Sequence, residues 1–115
     1  MQLDEARAII ARIRPRIDEF IAIRADLAEL RADLRVPRRS RHGGMAELKS
    51  LEARLYANLE FFAGLGAQVK GTAPLLLDIP GERDAEPVLW CWLEGDPDVL
   101  WYHRLDTGIA GRRPA

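Results

Sequence analysis

The chain has 115 residues, 17 basic against 18 acidic, and a formal net charge of -1 at pH 7. That length favours one domain, able to bury roughly two thirds of its unfolded surface without disulfides or metal as staples. The charge balance argues against a dedicated nucleic-acid binder, which carries a strong basic excess, and no apolar run approaches the roughly 20 residues of a membrane span.

Residues 3–35 read as a helix. Leu3, Ala6, Ile10, Ile13, Ile17, Phe20, Leu27 and Leu34 recur near a heptad seam, and Ile23 and Leu30 take over where Arg24 and Arg31 interrupt it. Pro15 lies inside this stretch. It removes a backbone donor and disfavours helix at Arg14, so a kink or break is expected near residues 11–15. Residues 36–44 hold a proline, paired glycines and a run of arginines, and predict a basic chain reversal. The ordinary reading of that segment is a solvated turn; the alternative is a loop that binds phosphate or acidic groups. Residues 45–65 form the second helix, with Leu48, Leu51, Leu55, Leu59, Phe62 and Leu65 on one side and Gly64 and Gly66 as its stop. A short connection predicts antiparallel packing. The hairpin, residues 1–66, cannot bury both apolar faces alone, so the C-terminal β-unit, residues 67–115, or a second copy of the chain must cover it.

After Gln68 the apolar period shortens. Three antiparallel strands are expected at 74–79, 87–94 and 98–104, with a short edge at 68–71. Pro80-Gly81 should close the first of them, and the tail from Gly108 to Ala115 reads as irregular. The resulting fold class is α+β: a long antiparallel helical hairpin packed on a three- or four-stranded antiparallel sheet.

Several short elements stand together in this half: Val69-Lys70, Asp78-Ile79-Pro80, Cys91-Trp92, Gly95-Asp96, His103, and Gly108-Ile109-Ala110-Gly111-Arg112. With Asp4-Glu5-Ala6 at the start, this ordered set resembles the prokaryotic domain-of-unknown-function 2203 family over nearly the whole chain. Asp96 stands where that family usually has Glu, Tyr102 where it has Trp, and Ile79 and Ile109 where it has Phe. The resemblance implies a fold and carries no assigned activity.

The chemistry-bearing residues of this half are few. Parity decides whether Cys91 and His103 share a face of the sheet. An even loop at Glu94-Gly95-Asp96-Pro97-Asp98 is expected, which puts them on opposite faces and leaves Trp90, Trp92 and Trp101 as one buried layer. On that register no Cys–His nucleophile forms. No metal site is expected either, although Asp78, Cys91, Asp96 and His103 are its weak candidates. Asp78 is expected to pair with Arg112 and pin the tail. The alternative is that Lys70, Asp78, His103 and Arg112 line one polar pocket for a small ligand or anion. No Gly-rich phosphate loop, Gly-x-Ser-x-Gly elbow, Cys-x-x-Cys or His-Glu-x-x-His occurs, so no cofactor is expected.

Cys91 is the sole cysteine and cannot form an internal disulfide, which suits a reducing compartment. The start of the chain lacks the layout of a signal peptide, so the cytoplasm is the expected location. The leading expectation for function is a non-enzymatic structural or interaction module that forms a homodimer through its hairpin, with no nucleic acid or membrane partner. A small-ligand-binding protein and a metal-dependent enzyme are the alternatives.

Overall fold

The computed structural model describes residues 1–36 and 39–115. Helix α1 is Leu3–Leu34 and α2 is Met45–Gly64. Five strands follow: β1 Gln68–Thr72, β2 Leu75–Arg83, β3 Glu86–Leu93, β4 Trp101–Arg104 and β5 Arg113–Pro114, with a 3-10 turn at Ile109–Gly111 before the last. They make one antiparallel sheet in sequential order, and the class is α+β. No described helix is long and apolar enough to cross a membrane. By compactness the chain divides into Met1–Ile13 with Phe62–Ala115, and Arg14–Phe61.

In the unit Arg14–Phe61, α1 buries Ile17, Phe20, Ile23, Leu27 and Leu30 at helical spacing. Helix α1 is continuous through Pro15, contrary to the expected break. Pro15 itself is exposed, while Ile13 and Ile17 on either side of it are buried, so packing holds the helical path across the one missing donor. The two helices are antiparallel and cross-linked by polar side chains. Arg16 Nε donates to Asn58 Oδ1 at 2.6 Å, and Arg54 pairs with Glu19 at 3.6 Å. Pro37 and Arg38 of the basic reversal lie outside the described residues. Of its remaining charges, Arg41 and His42 turn onto Glu29 at 3.4 and 2.9 Å.

In the other unit, Leu75, Leu77, Ile79, Val88, Trp90 and Trp92 build an apolar face of the sheet, and Ala6, Ile10 and Ile13 of α1 are buried in the same unit. The sheet exceeds the three or four strands expected. Strand β1 is a full partner of β2, with a bulge between Val69 and Gly71. The tail is not wholly irregular, because Arg113 and Pro114 pair with Tyr102 and Trp101 as β5. Strand β2 does not stop at Pro80 but runs to Arg83. The Glu82 N–H points away from β3 and reaches the Met1 carbonyl at 3.1 Å. Pro80 has the same parity, so its missing donor falls on the side where β1 has already ended, and the ladder to β3 loses nothing. Strand β2 then turns into β3 through Asp84 and Ala85, both at positive φ (54° and 67°), a two-residue type I′ hairpin.

Candidate functional site

The face of the sheet opposite the tryptophan-rich one carries the polar chemistry. Asp78 of β2 stands opposite Cys91 of β3, and Leu89 and Cys91 stand opposite His103 and Trp101 of β4. Paired residues of an antiparallel sheet project to one side, so Asp78, Cys91, Trp101 and His103 share a face. This corrects the expected register: nine residues, an odd number, separate the paired Cys91 and Trp101. Two contacts explain the longer connection. The Asp96 carboxylate accepts from the Leu93 N–H at 2.9 Å, capping β3, and Arg7 Nε donates to the Val99 carbonyl at 3.0 Å, so that β4 begins only at Trp101 rather than at residue 98. The same shift divides the tryptophans. Trp90 and Trp92 lie on the apolar face, with Trp90 edge-on to Tyr102 at 6.0 Å, whereas Trp101 lies on the polar one.

Asp78 and His103 are each nearly sealed from solvent, at 2% and 3% exposure. His103 Nε2 sits 3.0 Å from Asp78 Oδ2, and His103 Nδ1 sits 2.9 Å from the Arg104 carbonyl. A carbonyl only accepts, so Nδ1 carries the hydrogen and donates it. Asp78 Oδ1 is buried with no hydrogen-bond partner among the described residues. Cys91 completes the cluster: one potential ligand atom from each of Asp78, Cys91 and His103 lies within 4.8 Å of the other two. Burial, and after it the charge of Asp78, pushes the Cys91 thiol up to about 12, with Arg112 acting against the shift. Cys91 is therefore a thiol at neutral pH. Both His103 nitrogens are engaged elsewhere, so no thiolate nucleophile of the Cys–His kind is formed.

Arg112 does not pair with Asp78, as expected from sequence, but with Asp96, at 2.7 Å. Asp78 is taken by His103, and Asp96 is brought to the tail by the same turn that caps β3. The Arg112 guanidinium lies 4.9 Å from the Trp101 ring, and its Nε is buried without a hydrogen-bond partner. Asp96, Trp101 and Arg112 line an open pocket of about 350 Å³. The pocket adjoins the buried cluster, since Trp101 is the direct β-partner of Cys91. Of the four residues proposed for a ligand pocket, Asp78 and His103 are thus joined directly and Arg112 stands beside them. Lys70 is exposed on β1, and no hydrogen bond or ion pair among the described residues joins it to the others.

Trp101 was not foreseen as part of a pocket. The signal for it was its parity with Cys91, legible only once the loop is known to be odd. The clamp from Asp96 to Leu93 had a clearer signal, an Asp three residues after the strand end inside Glu-Gly-Asp-Pro, where such a side chain bonds local backbone. No curated protein and no solved structure matches the chain. The family described as "Uncharacterized conserved protein (DUF2203)" matches residues 1–115, and the chain belongs to that family.

Proposed function

We propose that this protein binds a small planar carboxylate in the pocket between the tail and the sheet. The observation that carries the reading is Arg112: a guanidinium held by Asp96 and lying against Trp101 at the wall of a pocket of about 350 Å³. A guanidinium at a pocket wall offers its accessible N–H groups to a planar carboxylate. The indole beside it offers apolar surface for a ring, and the few convergent polar groups set its orientation. The buried, unbridged Cys91 supports a reducing cytoplasmic location. Titration with benzoate and nicotinate, followed by tryptophan fluorescence and calorimetry, tests the reading. Saturable binding that is lost in Arg112→Ala and weakened in Trp101→Ala is expected. An absence of saturation at millimolar ligand, or unchanged binding in Arg112→Ala, refutes it.

A second reading, self-association through the helical hairpin, is supported by exposed apolar side chains in its own unit: Leu34, Val36, Met45 and Tyr56, the last at 63% exposure. Light scattering at high concentration should show a dimer that Met45→Glu with Tyr56→Glu dissociates. A wild-type protein monomeric at all concentrations removes this reading.

A further inference from the structure

The Asp78–Cys91–His103 cluster can be read as a structural ion pair beside a buried thiol, and three features of its geometry resist that. First, Asp78 is 2% exposed, yet beside His103 it has only the weak thiol donor of Cys91, and its Oδ1 meets no hydrogen-bond geometry among the described residues. A carboxylate present only to hold His103 leaves the other oxygen desolvated at a cost of roughly 1–3 kcal/mol or more. Second, that carboxylate lies next to the Cys91 sulfur, where an apolar side chain would cost less. Third, His103 presents Nε2 to Asp78 while Nδ1–H is held by a backbone carbonyl. A histidine that ligates a metal through one nitrogen is commonly oriented in this way by the other.

We infer that Asp78, Cys91 and His103 bind one divalent transition-metal ion of the zinc class. Binding displaces the hydrogen between His103 Nε2 and Asp78 Oδ2 and that of the Cys91 thiol, both released to solvent as protons, and the sulfur binds as thiolate. One imidazole nitrogen, one carboxylate oxygen and one thiolate sulfur form a borderline-soft set that suits Zn²⁺ or Co²⁺. Mg²⁺ and Ca²⁺ are disfavoured because they demand mostly oxygen ligands. Charge supports the assignment: a carboxylate and a thiolate together neutralise a divalent ion, so a site walled off from water carries no net charge. Three protein ligands leave a fourth position for a single water enclosed with the ion. The three ligands come from adjacent strands β2, β3 and β4 of one sheet, and a rigid ladder holds such a set in place. The inference stands apart from the pocket reading and holds with or without an organic ligand at Arg112.

The experiment uses the full chain. Because the ligands are buried, the protein is unfolded in chelator, refolded, and titrated with Co²⁺ and then Zn²⁺. The expected result is uptake of one equivalent of cobalt, with a near-ultraviolet thiolate-to-cobalt charge-transfer band and visible absorption of four-coordinate intensity, both removed by zinc. Cys91→Ser should abolish the charge-transfer band and weaken uptake by at least about tenfold, and His103→Gln should weaken it comparably. The inference is overturned if the refolded wild-type chain shows no stoichiometric uptake. Uptake without the thiolate band also overturns it, as does affinity unchanged in Cys91→Ser. The wild-type titration decides the matter even where a variant fails to fold.

Discussion

His103 and Asp78 face each other across 3.0 Å, one on β4 and one on β2, with Cys91 of the intervening strand beside them. Removing one partner strands the other's polar group in a sealed site. In chelator-treated protein, His103→Leu should lower unfolding free energy by about 3–5 kcal/mol. The double variant Asp78→Leu with His103→Leu should cost clearly less than the two single losses added together. Urea denaturation of all four proteins of the cycle gives the coupling, and additivity would show that the two side chains act independently.

Asp96 holds the tail to the sheet. Its carboxylate takes both the Leu93 N–H and the Arg112 guanidinium, and its backbone carbonyl takes Trp92 Nε1 at 3.0 Å. Asp96→Ala should cost about 1.5–3 kcal/mol, the range for a hydrogen bond to a charged group. Amide exchange should rise from Leu105 through Ala115 before it rises in β2 and β3.

The turn between β2 and β3 places Ala85 at φ 67°, where a Cβ crowds the chain. Left-handed backbone costs a non-glycine residue roughly 1–2 kcal/mol, and glycine returns part of that gain to the unfolded chain's entropy. Ala85→Gly should therefore raise stability by up to about 1 kcal/mol, read as a higher Tm.

Gly81 has no such freedom to change. A Cβ there would overlap the Met1 carbonyl and the Trp90 indole, which are themselves hydrogen-bonded at 3.0 Å. Gly81→Ala should destabilise by about 1–3 kcal/mol through this overpacking. The loss should appear in thermal unfolding, with the Trp90 fluorescence altered in the folded state.

Acid should weaken the helical unit in a particular window. His42, with Arg41, holds Glu29 below its ordinary value of 4.5, and Lys49 and Arg31 do the same for Glu52. A depressed carboxylate contributes stability that is complete above its unfolded value and lost as pH falls through the folded one. Stability should thus decline as pH drops below 4.5. In Glu29→Gln with Glu52→Gln that slope should be shallower, measured by urea midpoints between pH 6 and pH 3.

Element types were legible because they rest on local periodicity. Ile10, Ile13, Ile17 and Phe20 mark α1 by spacing alone, and β3 announces itself through Val88, Trp90 and Trp92. The break expected at Pro15 and the strand end expected at Pro80 are both absent. In both cases the missing N–H costs little where it falls: at an exposed position of a well-packed helix, and on the open side of an edge. Strand β5 was invisible because two residues, Arg113 and Pro114, carry no period, and only the place left beside β4 makes them a strand.

By itself the sequence determined that a helical hairpin precedes an antiparallel sheet, and it offered Lys70, Asp78, Cys91, Asp96, His103 and Arg112 as candidates for chemistry. It did not determine which of them meet. That depends on whether the connection from Cys91 to Trp101 is odd or even, and parity is a matter of one residue. The tertiary structure decided it through Arg7, 92 positions from Val99, acting with the local clamp of Asp96 on Leu93. A period-2 backbone turns that single-residue choice into opposite faces, so contacts remote in sequence gathered the Asp, the Cys and the His into one buried cluster and sent Arg112 to Asp96 instead of Asp78.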